Sequence, residues 1–304
     1  MRPLLRLVPD NTKIQFMKGR FAGVIASAVL STLSVVLFFT PGLNYTIDFK
    51  GGVMSEIRFP QAVDQSAVRE AFATLDLGEV QVQQFGAADD ALVRLSTTAR
   101  AEDIRPKIQG VLDDRFKGAE IRSLDVVGAK VSGELLHDGL EATGLALAGI
   151  FAWIWFRFDW QYGIGLVATL VLDATKTIGF YGLTRLPFDL NALAALLILV
   201  GFSVTDKVVV YDRIRENLRK FKSMPLRQVI DTSINQTLSR TVATSLTVLL
   251  SILPLAIIGR GSVQFFAITM VFGIIVGTTS SIFIASPILL FLGEKRLRAA
   301  APPS

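Results

Sequence analysis

Apolar and polar positions divide the chain into six long apolar runs and one segment of mixed composition. Each run approaches or exceeds the length of about 20 apolar residues that carries a helix across a bilayer. The runs cover residues 21–41, 140–156, 162–183, 190–211, 241–258 and 265–292. We therefore predict a polytopic α-helical membrane protein with six transmembrane helices.

The mixed segment, residues 42–137, lies between the first two runs and shows the periods of strands and helices. Alternating positions predict strands at Val53–Phe59, Val80–Phe85, Ala91–Ser96 and Ala119–Val127. One helix, capped by Asp64, is predicted after the first strand, and another, Ala101–Phe116, after the third. This β-α-β-β-α-β order predicts a ferredoxin-like α+β domain. We find no catalytic constellation in it and expect a docking or substrate-handling module.

Basic residues are concentrated on one side of the predicted spans. That side receives three segments, the N-terminal residues 1–20, the loop 212–240 and the tail 294–304. The short loops on the other side hold only Arg185 and Arg260. By the positive-inside rule, we predict both termini in the cytoplasm and residues 42–137 in the periplasm. Thr-Pro-Gly follows the first run in place of a small-residue cleavage site, which predicts an uncleaved anchor.

Composition removes several classes of function. The chain has no cysteine, which excludes disulfides, thiolate metal sites and thiol catalysis. Its single histidine, His137, excludes a multi-histidine metal site. The excess of 31 basic over 26 acidic residues follows the predicted membrane topology. We therefore expect no nucleic-acid partner and no cofactor.

Charged residues inside the apolar runs are the candidate functional groups. Asp206 and Lys207 lie within the fourth run, with Ser203 about one turn earlier on the face of Asp206. A carboxylate at this depth is costly unless it is paired, hydrated or protonated, and such groups usually mark an ion or proton path. The alternative is a buried ion pair that only orients two helices. Lys207 would then compensate Asp206, or it extends to the headgroups.

Two neighbouring runs carry polar stripes as well. The third run holds Asp173 and Lys176, which we interpret mainly as a structural intrahelical pair. The fifth run begins with Arg240 and Thr244, and Arg240 enters from the same side as Asp206 and reaches a similar depth. Together the stripes predict a hydrated path between helices. For Arg240, snorkelling to the headgroups is the alternative.

Two further segments are predicted to have structural roles. Gly273, Gly277 and Ser281 recur every four residues in the sixth run, a pattern typical of close helix packing, and we assign them no chemistry. The segment Ser223–Gln236 has the pattern of an amphipathic helix on the cytoplasmic membrane surface.

Five segments together carry a family resemblance. They are YTIDFKGG at Tyr45–Gly52, VGAKVSGEL at Val127–Leu135, GFSVTDKVVVYDRIREN at Gly201–Asn217, and the segments Ser233–Leu250 and Gly261–Leu290. In sequence and order they resemble the SecF family, the smaller subunits of the bacterial SecDF protein-export complex. The resemblance runs from the first span to the last, and its most specific part surrounds Asp206.

The resemblance implies a subunit of a proton-driven machine of the resistance-nodulation-division superfamily in the bacterial inner membrane. It implies a role in the later stages of export and no enzymatic activity. The implied partners are SecD, the SecYEG translocon, other accessory export subunits, the unfolded polypeptide in transit and membrane lipid. By motif position, Asp206 and Arg240 match the family's charged residues implicated in proton transport. Asp48, Gly51 and Gly52 match its first signature.

The chain departs from the family pattern in the third and fourth runs. Lys207 follows the aspartate where a small polar residue is usual, and Thr205 precedes it where asparagine is usual. A lysine paired with Asp206 would favour its ionised form. Asp173 is followed by Ala-Thr-Lys where the family more often has His-Asp and apolar residues, so no role is carried over to it.

Other interpretations remain open at this stage. The chain could be an assembly scaffold whose charges only dock a partner subunit. An intramembrane aspartyl protease using Asp173 and Asp206 is a remote alternative, because the glycine nearest to Asp206 is five residues away, at Gly201. The sequence does not distinguish H⁺ from Na⁺ as the coupling ion.

Overall fold

The computed structural model describes residues 12–85, 87–97 and 101–292. Its helices are α1 (Arg20–Phe39), α2 (Ile47–Lys50), α3 (Gln65–Ala73), α4 (Ala101–Arg115), α5 (Ala129–Arg157), α6 (Trp160–Thr184), α7 (Leu190–Lys220), α8 (Leu226–Ile258), α9 (Gly261–Ser280) and α10 (Ser286–Leu292). Its strands are β1 (Asn44–Tyr45), β2 (Gly52–Arg58), β3 (Val80–Phe85), β4 (Ala87–Leu95), β5 (Glu120–Val127) and β6 (Pro187–Phe188). The tail 294–304 and most of the basic N-terminal segment used in the topology prediction lie outside the described residues.

Six helical segments of the described chain are long and apolar enough to cross a membrane. They are α1, α5, α6, α7, α8 and the continuous segment Gly261–Phe291. The last of these joins α9 to α10 through a π-helical turn, Ser281–Ala285. The six predicted apolar runs correspond to these six segments in the predicted order, although α1 ends at Phe39, two residues before the end of the first run.

The predicted cytoplasmic loop 212–240 is mostly helical, which corrects the sequence-based boundaries. Because α7 continues to Lys220 and α8 begins at Leu226, only residues 221–225 connect them. Of the segment Ser223–Gln236, the first three residues therefore belong to this connection, and the rest is the start of α8 rather than a separate surface helix. Asn217 Nδ2 donates to Ser233 Oγ at 2.8 Å, and Val229 and Ile230 are fully buried, so this extension packs on α7 instead of the membrane surface.

Strands β2 to β5 form an antiparallel sheet in the order β3-β4-β2-β5. Helix α3 begins as predicted, with the backbone N–H of Ser66 donating to Asp64 Oδ1 at 3.0 Å. Apolar side chains of α3 and α4 are buried against one face of the sheet. The predicted β-α-β-β-α-β order is present. Helix α5 starts at Ala129, so residues 129–137, predicted as part of the domain, belong to a long helix.

The other face of the sheet is turned toward one end of the helix bundle, called the outer end below. Strand β1 pairs in parallel with β6, which lies between α6 and α7. Across this junction, Arg94 Nη1 of β4 donates to Asn44 Oδ1 at 3.0 Å. Asn44 Nδ2 in turn donates to the Arg185 carbonyl at 2.9 Å, so Asn44 connects the sheet to the α6–α7 loop of the bundle.

Helices α6, α7 and α9 form the centre of the bundle, whereas α1, α5 and α8 turn much of their apolar surface outward. Gly273 allows α9 to approach α7 closely, because a Cβ there would lie 2.2 Å from Leu199 Cδ1. The predicted close packing is confirmed at this glycine. Gly277 also faces α7, but a Cβ there would lie 3.4 Å from Ser203 Oγ, which is ordinary contact. The exposed face of α8 is left for lipid or for a partner.

Candidate functional site in the helix bundle

Asp173 and Lys207 form an ion pair between α6 and α7, and Lys207 is completely buried. Lys207 Nζ lies 2.8 Å from Asp173 Oδ2. The same carboxylate oxygen accepts from Ser203 Oγ at 2.8 Å and from Ser280 Oγ at 2.6 Å. Three of the central helices therefore meet at Asp173.

Lys176 adds a second cation to this cluster, with Nζ at 3.5 Å from Asp173 Oδ1. The predicted intrahelical pair is confirmed, although it is the weaker of the two contacts by distance. Both expectations for Lys207 were wrong, because it neither pairs with Asp206 nor extends to the headgroups. A buried charge is costly unless it is paired and hydrogen-bonded, and Asp173 supplies that pairing for two lysines.

Asp206 lies next to Lys207 in sequence but faces a different helix. It accepts a hydrogen bond from Ser281 Oγ, and it is 9% exposed. Successive residues on a helix are turned by about 100°, so neighbouring side chains contact different neighbours. Ser203, predicted to act on the face of Asp206, instead belongs to the Asp173 cluster.

Asp206 and Arg240 line the same small cavity between α7 and α8. The cavity has a volume of about 80 Å³ and is also lined by Thr241 and Thr244. A buried water needs roughly 10–15 Å³ of such space, so a few water molecules can fit. The structure thus brings together Asp206, Arg240 and Thr244, as the polar stripes predicted.

Arg240 and Thr244 are exposed on the outward face of α8. Among the residues that the structure describes, Arg240 has no hydrogen bond or ion pair. A guanidinium on a membrane-spanning helix is costly without a partner or water. The cavity at Asp206 is therefore at the edge of this chain, where a second subunit would enclose it.

Ser281 was assigned only a packing role from the sequence, and the structure corrects this. It begins the π-helical turn and donates to Asp206. The widened turn releases backbone carbonyls, which are satisfied by side chains. Ser286 Oγ donates to the Ser281 carbonyl at 2.9 Å, and Tyr211 Oη donates to the Ala285 carbonyl at 2.7 Å. Such turns are frequent at functional sites. The serines at 280, 281 and 286 in an apolar helix were the available sequence signal.

The first family signature connects the domain formed by β2–β5, α3 and α4, called the outer domain below, to the start of α7. Asp48 Oδ2 accepts from the backbone N–H of Leu190 at 3.2 Å, at the N-terminus of that helix. Gly51 and Gly52 have positive φ angles of 73° and 125°. A Cβ on Gly52 would lie 2.6 Å from the Leu95 carbonyl oxygen, so the turn requires glycine. The helix that carries Asp206 is thus tied to the sheet at its outer end.

The arrangement does not favour an aspartyl protease. Such a site needs two carboxylates that share a proton. Asp173 contacts two lysines and Asp206 bonds to Ser281, and neither carboxylate is a hydrogen-bond partner of the other.

Two family models match the chain. The model described as the C-terminal part of the protein export membrane proteins SecD and SecF matches residues 107–295. The model of the SecD/SecF GG motif matches residues 36–63, which include Asp48, Gly51 and Gly52. The first covers more than half of the chain and contains Asp173, Asp206 and Arg240.

Curated relatives are similar over nearly the whole length. The chain is 39% identical to a protein translocase subunit SecF of Cereibacter sphaeroides over 302 residues, covering 96% of this chain and 93% of the relative. It is 38% identical to a SecF of Rickettsia bellii over 297 residues, covering 96% and 97% of the two chains.

Two solved SecDF structures resemble this one. A SecDF from Thermus thermophilus, described as a translocon-associated membrane protein, is 32% identical with a TM-score of 0.87. The match covers 96% of this chain and 40% of the SecDF chain. A SecDF in a super-membrane-facing form is 31% identical with a TM-score of 0.68, covering 97% and 40%. The chain thus spans less than half of the SecDF chains it resembles.

Proposed function

The chain belongs to the SecF family, and on that premise we propose that it is the smaller subunit of a SecD–SecF complex that uses the proton motive force to assist protein export. It is a multi-pass membrane protein. We place it in the bacterial inner membrane, with both termini in the cytoplasm and a ferredoxin-like domain in the periplasm. Its proposed partners are SecD, the SecYEG translocon, accessory export subunits and the unfolded polypeptide in the later stages of transit.

The observation that carries the proposal is the shared cavity of Asp206 and Arg240 at the open edge of the bundle. The SecDF chains are more than twice as long as the part that this chain matches. A second six-helix half packed on α7 and α8 would enclose the cavity. Working sites of repeat transporters lie at the interface of their two halves. That half would supply further charged groups near Asp206 and Arg240.

Lys207 does not pair with Asp206, and this supports a role of Asp206 in proton transport. Because its ammonium group is held by Asp173, it does not neutralise Asp206. Asp206 keeps Ser281 as its hydrogen-bond partner and faces a cavity that can hold water. A carboxylate that can exchange protons with water is suited to proton transport, whereas one locked to a lysine is not. Asp173 and Lys176 therefore serve the structure of the bundle rather than the path.

The coupling between proton and domain follows from the contacts of α7. Protonation of Asp206 removes the negative charge from the cavity that Arg240 also lines and changes the hydrogen bond with Ser281 at the π-helical turn, which shifts the packing of α9 on α7. The outer end of α7 is bonded to Asp48, so movement of α7 is passed to the sheet. The protonated and ionised forms of Asp206 thus favour two states of the protein, which differ in the position of the outer domain relative to the bundle. The proton gradient shifts the populations of these two states.

The test is gradient-dependent export in inverted membrane vesicles that carry the complete complex. Asp206→Asn keeps the size of the side chain and removes its charge, and we expect the gradient-dependent part of export to be lost while the complex still assembles. Asp212→Asn is the matched control, since Asp212 lies on the same helix and is bonded to Arg157 at the surface. Replacing the proton gradient by a sodium gradient identifies the coupling ion.

A scaffold that only docks its partner is the second interpretation. It predicts that Asp206→Asn leaves gradient stimulation intact. Loss of assembly in the same variant would show that the charge is structural. Either result would contradict the proposed transport role of Asp206.

A further inference from the structure

Two cavities of opposite charge lie side by side between the sheet and the outer end of the bundle, and Leu92 lines both. The larger, about 520 Å³, is lined by four carboxylates and one arginine: Asp48, Glu56, Asp125, Asp189 and Arg260. The smaller, about 420 Å³, is lined by four cationic side chains: Lys50, Arg69, Arg94 and Arg185. All residues that line the smaller cavity belong to the described part of the chain, and none of them is acidic.

Arg94 is the central group of the basic cavity. On β4, Ala91, Val93 and Leu95 face the apolar core of the domain, so Arg94 lies on the opposite face, toward the bundle. It is only 7% exposed. Its Nη1 donates to Asn44 Oδ1 at 3.0 Å, whereas Nε and Nη2 have no acceptor among the described residues.

A buried guanidinium with two unused donors is costly, because desolvation is not repaid by bonding. Burial lowers the pKa of Arg94, and the more distant charges of Asp189 and Asp48 offset only part of that effect. Neither carboxylate forms an ion pair with Arg94 in the described structure. An anion would satisfy the free donors and balance the four positive charges around the cavity.

The position of the cavity indicates the source of that anion. Arg185 directly follows the end of α6, and its Nη1 donates to the Gly42 carbonyl, just beyond the end of α1, at 2.8 Å. Both helices have the length and composition of membrane spans. The cavity is therefore at the level of lipid headgroups. The adjoining end of α1 exposes Val36 and Phe39, on which acyl chains can lie.

We propose that the basic cavity at Arg94 binds a phosphate group, supplied in the membrane by an anionic phospholipid headgroup. Arginine forks and lysine ammonium groups are well suited to phosphate oxygens. A phosphate held by Arg94 of the sheet, by Arg69 of α3, which packs on that sheet, and by Arg185 of the bundle bridges the two parts of the molecule. The site does not depend on the proposed export function, because headgroups lie at this level in either leaflet.

The test is titration of the purified full-length chain in detergent with phosphatidylglycerol, followed by native mass spectrometry. Lys50→Gln and Arg69→Gln change exposed lining residues that carry no part of the fold, and Arg94→Gln changes the central group. Exposed charges contribute modestly, so we expect each of the first two to weaken lipid binding about threefold, and together about tenfold. Arg115→Gln, an exposed change on α4 outside the cavity, is the matched control and leaves binding unchanged.

Competition between inorganic phosphate and the lipid distinguishes the two sources of the phosphate group. If inorganic phosphate displaces the lipid at equal concentration, the site takes free phosphate; if it does not, the headgroup is the ligand. Unchanged lipid affinity in the Lys50→Gln/Arg69→Gln double variant would overturn the proposal. So would loss of the bound lipid from the wild-type chain on assembly with its partner subunit, since a partner side chain would then occupy the cavity.

Discussion

Lys207 reaches past its neighbour Asp206 and binds Asp173 on the adjacent helix, with 2.8 Å between Nζ and Oδ2. Because of this contact, Asp206 and Lys207, which are adjacent in sequence, belong to two separate clusters of polar side chains. One cluster, Asp173 with its two lysines, is buried in the centre of the bundle. The other, Asp206 with Ser281, borders a cavity at the edge of the chain.

The contacts of Asp173 predict which of two substitutions in its cluster lowers the stability more. Asp173→Asn leaves two buried lysines without a carboxylate, and we expect it to lower the free energy of unfolding by about 3–5 kcal/mol. Lys207→Met is expected to cost less, because Asp173 keeps Lys176. Thermal unfolding in detergent measures both, with Lys222→Met at the exposed α7–α8 connection as control. Equal losses for the two variants would contradict this account of the cluster.

Ser281 is expected to be required for transduction. Ser281→Ala removes the hydroxyl that donates to Asp206, so gradient-stimulated export in vesicles should fall severalfold while export without a gradient is kept. Thr279→Ala is the matched control, because Thr279 is exposed near the end of α9 and its hydroxyl donates to the backbone carbonyls of Ile275 and Val276 in the preceding turn. A defect of the same size in both variants would indicate a general effect on α9.

Arg240 is expected to matter in the complex and not in the isolated chain. Because it is exposed and unbonded in the described structure, Arg240→Gln should change the free energy of unfolding of the purified chain by less than about 0.5 kcal/mol. In the complete complex, the same variant should abolish gradient-dependent export. A large loss of stability in the isolated chain would mean that Arg240 serves the fold of this half.

Asp189 gives a prediction for pH, since it caps α7 outside the spanning segment and accepts from Ala192 N–H at 2.8 Å. Burial raises its pKa above the ordinary value of 3.8, more than hydrogen bonds from Ser262, Ala192 and Asn191 lower it. The folded state therefore binds its proton more tightly than the unfolded state. Its contribution to stability is greatest below pH 3.8 and is lost as the pH rises through the raised value.

Asp189→Asn should remove this part of the pH dependence while keeping the cap, because asparagine caps helices as well as aspartate does. Asp189→Ala should cost about 1 kcal/mol at every pH, since the cap itself is lost. Thermal unfolding between pH 4 and pH 7 measures both. If Asp189→Asn shows the same pH dependence of stability as the wild type, a group other than Asp189 is responsible for that dependence.

The sequence determined the six apolar helices, the strand and helix order of the outer domain, and the candidates Asp206, Arg240 and Thr244. These follow from local periodicity, because burial in a membrane or in a core imposes a hydrophobic period on each element separately. Within residues 212–240 a helix was predicted at Ser223–Gln236, but its placement on the membrane surface was wrong. The continuity of α7 to Lys220 and of α8 from Leu226 was not predicted, since charged helical turns outside the hydrocarbon region carry no apolar run to mark them.

The sequence predicted the pair of Asp173 and Lys176 within one helix, but only the tertiary structure decided which charges pair between helices. Lys207 is adjacent to Asp206 in the chain, but its partner is fixed by the rotation of α7 relative to α6. The sequence indicated only a packing role for Ser281, whereas the π-helical turn that it begins places its hydroxyl within hydrogen-bond distance of Asp206. The burial of Arg94 in a basic cavity follows from the packing of the sheet against the outer ends of α1 and α6, which the sequence did not indicate. Each contact joins elements far apart in sequence, and their relative placement follows from packing that no local pattern encodes.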